Sequence, residues 1–427
     1  MKKLWGCELS ILMMMTFGVT ASAAGLHSGK ATSETVPGEY LVRLTASGRG
    51  IAKSSAYVRS KIHRLGILVV QRPTFESEES ALRVLRADPN ILSAEPNRFF
   101  RLNDDFLPDL SKLWQFKTQT PAASDLQIRD AWGISTGSSD VIVAILDTGI
   151  DYRHPDLKDN MWTNDLELNG EPGVDDDENG YIDDVYGYDF VKNSGDPMDD
   201  GGHGSHCAGS IGATGNAGTG MIGVNRKVRM MALKFMDKSG VGSTENAIRA
   251  IDYAILMGAR ILSNSWGGVS EKSEMLKEAI ERSHKAGALF VVAAGNIHND
   301  NDKNKQYPAC FNVPNILTVA SVDKKGRLAQ TSSYGLKSVE LAAPGVDIYS
   351  TSLKNTYELR SGTSMAAPFV SGVAALILAV RPNISNLTLK RCLMNSVTPL
   401  DSLAGFIKTG GTLNAFGALT DSCKIPK

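Results

Sequence analysis

Three residues set among small neighbours carry the chemistry open to this chain. Ser364 stands in SGTSMAAP (361–368), His203 in GGHGSHCAG (201–209) and Asp147 in AILDTG (144–149). A serine hydroxyl is a weak nucleophile at neutral pH, so it needs a histidine to take its proton and a carboxylate to orient that histidine. An Asp, a His and a Ser point to covalent acyl transfer, provided the fold brings them together. The plain alternative for Ser364 alone is a capping serine on a core helix.

Each residue needs an element to hold it. The stretch 361–380 opens on small residues, runs apolar for about four helical turns and stops at Arg381-Pro382, where proline cannot continue a helix. It reads as a buried helix with Ser364 at its start, where free backbone N–H groups favour developing negative charge. The unbroken run VIVAI (141–145) predicts a strand buried on both faces, delivering Asp147 at its C-terminal end. Further strands are expected at 228–235, 260–264, 288–294, 316–320 and 339–341, with helical patterns at 245–257 and 273–285. This alternation predicts an α/β fold, a parallel sheet flanked by helices on both faces, with the site at the strands' C-terminal ends.

AILDTGID with HPDL after it, GHGSHCAG, SNSWGG, VVAAGN and SGTSMAAP occur in that order within 114–419, and together they resemble the subtilisin-like serine proteases, the subtilases. The resemblance implies a serine endopeptidase of subtilisin-like fold acting on protein and peptide substrates. It assigns attack to Ser364, proton transfer to His203, orientation of that histidine to Asp147, and oxyanion stabilisation to Asn296 with the Ser364 N–H. It also implies that Ser265, Trp266 and Gly267 pair with extended substrate as an added strand. Trp266, where leucine is common, would reshape a subsite. Gln306 would stand near the floor of the pocket for the residue before the scissile bond and shorten it.

Residues 1–24 combine two lysines, an apolar middle and Ala21-Ser22-Ala23, and read as a secretory signal that sends the chain to the periplasm or outside the cell. No membrane attachment is expected once it is removed. Residues 25–104 form a second unit, with an alternating strand at 39–44 and a helix at 78–87. ALRVLRADPNILSAEPN (81–97) resembles the small α+β (ferredoxin-like) prodomain of subtilases, an intramolecular inhibitor that is cut away from the catalytic domain, 105–427. The cut is expected between 100 and 111, near the polar Asn103-Asp104-Asp105. A permanent accessory domain is the alternative.

GVDDDENGYIDDVYGYD (173–189) places Asp175, Asp177 and Asn179 at alternate positions before Gly180, as at the opening of an EF-hand-type calcium loop. Position twelve is Tyr186 rather than Glu, so closure falls to Asp183 or Asp184 with the Tyr181 carbonyl. A solvated acidic loop is the plain reading. The family resemblance implies a second structural Ca²⁺ site, with Asp156 and Asn216 as ligands.

His154 and His206 read as packing or turn residues, and a His203-x-x-His206-Cys207 metal site lacks an apparent fourth ligand. Cys207, one helical turn beyond His203, is expected beneath the base. Cys207, Cys310, Cys392 and Cys423 allow three full pairings; Cys392 with Cys423, leaving the others free, is the favoured pattern. Formal charge is −1 with acids and bases interspersed, which points to no nucleic-acid partner, and a monomer is expected. Two rivals remain: a processing protease of narrow specificity, and a calcium-binding scaffold without activity. An esterase is disfavoured because GxSxG is missing around Ser364.

Overall fold

The apolar runs between turns assemble into one nine-stranded sheet in a computed structural model that describes residues 35–45, 58–62, 67–72, 77–102, 114, 125–215 and 221–420. The expected signal 1–24, residues 103–111 of the expected cut region 100–111, Asn216 and Cys423 lie outside the described residues. The N-terminal unit comprises β1 (Thr35–Leu44), β2 (Val58–Ile62), β3 (Ile67–Gln71), α1 (Glu78–Ala87) and β4 (Ile91–Leu102). Its strands pair antiparallel in the order β4-β1-β3-β2. The predicted helix at 78–87 forms at those bounds, capped by Ser77.

The second unit opens with α2 (Ile128–Trp132), β5 (Gly137–Asp147), α3 (Asp165–Leu168), β6 (Gly187–Asp189), α4 (His203–Gly212), β7 (Lys227–Lys234) and β8 (Val241–Ser243). It continues with α5 (Thr244–Leu256), β9 (Ile261–Asn264), β10 (Trp266–Gly267), α6 (Glu274–Lys285), β11 (Leu289–Ala293), β12 (Ile316–Val322) and β13 (Leu341–Pro344). The remainder is a hairpin of β14 (Ile348–Ser352) and β15 (Thr356–Arg360), then α7 (Thr363–Val380), α8 (Asn386–Asn395), β16 (Thr398–Pro399), β17 (Gly411–Thr412) and α9 (Ala415–Leu419). Sheet order is β16-β17-β13-β12-β11-β9-β5-β7-β6, parallel except for the β16–β17 pair.

Alternation along β5 sorts the two layers. Val143 and Ile145 face a core shared with α4 and α7, while Ala144 and Leu146 face one shared with α5 and α6. Helix α7 has the length and apolarity of a membrane span, yet 89% of it is buried within the protein, so its apolar surface is used by the sheet beneath it. One strand differs from expectation. The run 339–341 leads into β13, which begins at Leu341, because Glu340 turns its carboxylate to the Thr318 N–H (2.9 Å) and the Lys390 ammonium (2.8 Å).

The N-terminal sheet is divided the same way. Tyr40 and Val42 pack with Ala81, Leu85 and Ala94 of its own helix layer, whereas Leu41, Ile67 and Val69 join the core containing Ile251 of α5 and Leu276 of α6. Polar contacts reinforce that docking at the helix starts, where backbone donors lack partners. Asn97 Oδ1 accepts the Glu245 N–H (3.2 Å), and Glu95 accepts the Glu274 N–H (3.1 Å) and the Ser273 hydroxyl. Arg43–Glu278 and Arg98–Glu271 ion pairs flank them.

Candidate active site

Asp147 ends β5 and His203 begins α4, and they meet with Nδ1 of the imidazole 2.7 Å from Asp147 Oδ1, both side chains buried. A carboxylate can only accept here, so Nδ1 carries the proton and Nε2 is left as the basic nitrogen. Asp147 Oδ1 also accepts the Thr148 N–H (2.8 Å). A residue that pattern reading passed over secures this corner. Asp199 accepts from the Thr148 hydroxyl (2.8 Å), the Gly201 and Gly202 N–H groups (2.9 Å each) and both the N–H (2.9 Å) and hydroxyl (2.7 Å) of Ser205. One buried carboxylate thereby ties the end of β5 to the start of α4.

Ser364 lies in the first turn of α7, after Gly362 at φ +148°. Its hydroxyl donates to the Ser265 carbonyl (2.9 Å), and its own carbonyl accepts the Ser265 hydroxyl (2.8 Å). The second contact has a covalent cause. Pro368, four residues on and inside the helix, has no N–H to give that carbonyl, so the oxygen is free for Ser265 and for the Cys207 thiol (3.6 Å). Cys207 is free, sits 4.0 Å from His203 Nδ1, and its thiol pKa is raised by burial and partly drawn back by His203.

Asn296 follows β11. Its Oδ1 accepts the Thr363 N–H (2.9 Å) and hydroxyl (3.0 Å), which leaves the buried Nδ2 without a partner among the described residues. A carboxamide held with its donor unused beside the Ser364 turn is ready for an anion that a reaction creates.

Ser265, Trp266 and Gly267 stand where an added strand was expected, and a strand is there. Trp266 pairs with Leu102 and Gly267 with Arg101 of β4, while β8 flanks the other edge through Phe99↔Ser243, Phe100↔Gly242 and Arg101↔Val241. The chain's own β4 thus pairs with the strand that follows Ser265, whose carbonyl takes the Ser364 hydroxyl. The Trp266 ring is fully buried and packs edge-on against Phe235 and Phe290 (4.9 and 6.4 Å), so it belongs to the core beneath the groove. Gln306 is buried beside Gly295, and the next residue, Tyr307, donates its N–H to the Val269 carbonyl (2.8 Å).

In the acidic loop the closest carboxylates are Asp175, Asp177 and Glu167, whose oxygens lie within 4.8 Å of one another. Glu167, on α3, was outside the sequence motif; it accepts the Asp176 N–H (2.7 Å) and Asp183 N–H (2.8 Å) and so folds the loop around itself. Asn179 Oδ1 accepts the Tyr181 N–H (2.7 Å), and the Tyr181 ring packs edge-on against Tyr253. Asp183 accepts the Gly173 N–H (3.0 Å). Asp184 turns inward to the Tyr253 hydroxyl (2.5 Å) and the Asn164 and Asn179 amides (2.8 Å each), and desolvation raises its pKa. Asp156 uses Oδ2 for the Tyr357 hydroxyl (2.7 Å) and Met221 N–H (3.0 Å), while its buried Oδ1 has no partner among the described residues. Cys392 is disulfide-bonded and Cys310 is free.

Residues 138–418 match the family model described as "Subtilase family". Subtilisin-like protease 1 of Plasmodium berghei is 37% identical over 297 residues, 66% of this chain and 49% of the relative. The thermophilic serine proteinase of Bacillus sp. (strain AK1) is 32% identical over 346 residues, 80% of this chain and 76% of that protein. Among solved structures, fervidolysin from Fervidobacterium pennivorans, a keratinolytic enzyme related to subtilisin, superposes with a TM-score of 0.72 at 24% identity, covering 94% of this chain and 63% of its own. The chain spans about half the length of the Plasmodium relatives it matches.

Proposed function

This chain belongs to the subtilase family, and from that premise we propose that it is a secreted serine endopeptidase made as an inactive precursor. Ser364 attacks the peptide carbonyl, His203 Nε2 takes the hydroxyl proton and returns it to the leaving amine, and Asp147 holds the Nδ1–H tautomer. Asn296 Nδ2 and the Ser364 N–H stabilise the oxyanion. For attack the Ser364 hydroxyl must leave the Ser265 carbonyl and donate to His203. The observation that carries the reading is the pairing of an oriented Asp147–His203 couple with an unused, buried Asn296 donor beside Ser364. A calcium-binding scaffold would need neither.

The N-terminal unit acts in this reading as the inhibitor of its own catalytic domain, supported by β4 lying in the groove that substrate would occupy. The proposed cut lies between 100 and 111, near Asn103-Asp104-Asp105, in the stretch where β4 ends. Export through the signal at 1–24 and action as a monomer complete the proposal.

Structural Ca²⁺ fits two places. Asp156 offers a buried, unpartnered oxygen, and Glu167, Asp175 and Asp177 offer three converging carboxylates, with Asn179, Asp183 and the Tyr181 carbonyl nearby. A hard cation there would neutralise the loop's self-repulsion and fix its fold; it takes no part in the peptide chemistry.

The test is expression of the precursor beside Ser364→Ala, with intact mass and N-terminal sequencing. A wild-type product starting between 100 and 111, with the variant uncut, supports nucleophile, self-processing and boundary together. If neither is cut and neither hydrolyses peptides, the scaffold reading replaces this one.

A further inference from the structure

Asp147, Lys234 and Asp189 stand side by side at the C-terminal ends of three neighbouring parallel strands, β5, β7 and β6. Ile145 and Ala232 face the core shared with α4, whereas Leu233 and Tyr188 face the opposite core, so alternation turns all three charged residues toward the α4 face. Lys234 is the unexpected member. Its side chain is 1% exposed, and a lysine that buries its charge needs partners strong enough to offset the lost hydration.

Those partners surround Asp147. The Lys234 ammonium donates to the Thr148 carbonyl (2.6 Å), the Asp200 carboxylate (2.6 Å) and the Met236 carbonyl (3.1 Å). Thr148 gives its N–H to Asp147 Oδ1, and the Phe235 and Met236 N–H groups hold the Asp147 carbonyl (3.1 and 3.2 Å). Thr148 is thus gripped from both ends, its hydroxyl by Asp199 and the Gly204 N–H (3.0 Å) and its carbonyl by Lys234. Resting on the protease reading above, we infer that Lys234 is a positioning residue for that reaction. Its buried ammonium fixes the Thr148 turn that aims Asp147 at His203, and it sets a positive charge on the face where the imidazolium forms.

The charged neighbours give the sign. Lys234 faces Asp147, Asp189 and Asp200, with Asp199 and Asp237 close by, and Lys192 lies 3.8 Å from Asp200 and 3.9 Å from Asp189. His203 faces Asp147, the Cys207 thiol and, across Gly202, the Arg360–Glu358 pair of β15. Removing the Lys234 charge makes His203 easier to protonate, and removing the Asp200 charge makes it harder.

The experiment uses the mature enzyme processed from the full chain and the pH profile of kcat/KM on one peptide amide. Lys234→Met should lower kcat on the order of tenfold with KM nearly unchanged, and move the acid limb to higher pH by about half a unit. Lys234→Arg should return the limb toward wild type. Asp200→Asn, at a half-exposed position, should move it to lower pH by a smaller amount. A limb unmoved by Asp200→Asn, or moved the same way by both variants, overturns the inference, and the Asp200 variant decides the matter should Lys234→Met not fold. The His203 Nδ1–H proton resonance in the Ser364→Ala protein reports the same titration without turnover. If the wild type neither hydrolyses peptides nor is labelled at Ser364 by a fluorophosphonate, the protease reading falls, and that resonance still decides whether Lys234 acts on the Asp147–His203 couple.

Discussion

Asn296 and Thr363 are locked together: the Asn296 oxygen takes both the backbone N–H and the hydroxyl of Thr363, at 2.9 and 3.0 Å. That contact decides which way the carboxamide faces, and so aims Nδ2 into the site. Asn296→Leu should lower kcat by about 10²–10³-fold with little change in KM, since the donor acts on charge that exists only in the transition state. Steady-state kinetics on one good peptide checks it. An equal loss in both parameters would mean the residue only shapes the pocket.

Cys207 lies 4.0 Å from His203 Nδ1 and touches Ser265 and the Ser364 carbonyl. A mercurial on its sulfur has no space beneath the imidazole and should abolish activity, slowly, because the thiol is buried and its pKa raised. Cys207→Ala should resist the reagent. Full activity after mass spectrometry shows Cys207 modified would sink the prediction.

Glu95 loses water where the N-terminal unit docks, and desolvation outweighs the Ser273, Met275 and Glu274 hydrogen bonds and the Arg98 charge, raising its pKa. The docked state therefore holds the proton more tightly than the undocked one. Docking is strongest below the ordinary carboxyl value of 4.5 and weakens as pH rises through the raised value. In the Ser364→Ala precursor, hydrogen-exchange protection of β4 should fall as pH rises above 4.5 through the raised value, and Glu95→Gln should flatten that slope.

Calcium should raise the melting temperature of the same precursor, and a chelator should lower it. At a free concentration of about 100 Kd the gain is ~2.7 kcal/mol. Glu167→Gln should remove part of the gain and Asp156→Asn another part, additively, because the two sites share no ligand. A calcium response identical in both variants and wild type would place the ion elsewhere.

Helices α7 and α1 could be read within a residue or two because their apolar spacing is a local property of the chain, whereas β5 begins four residues before its apolar run, in the polar Gly137-Ser138-Ser139-Asp140. The residues that depend on partners far along the chain were harder to see. Glu167 carries no motif of its own and joins Asp175 and Asp177 only because α3 folds back on the loop. Asp184 sits beside Asp183 in sequence, yet its carboxylate goes to Tyr253 on α5. Asp199, beside Asp200 and in no motif, is the buried acceptor for both sides of the Asp147–His203 corner.

The candidate nucleophile, base and orienting acid, and the elements that present them, could be named from residue type and short-range pattern, since a strand end and a helix start need only neighbours to form. Which amide of Asn296 faces the site, which carboxylates converge, and that β4 lies between β8 and β10 were decided by packing. Those are contacts between segments up to roughly 165 residues apart, as for Trp266 and Leu102. Their energy depends on desolvation and hydrogen-bond geometry, and neither exists until the layers close.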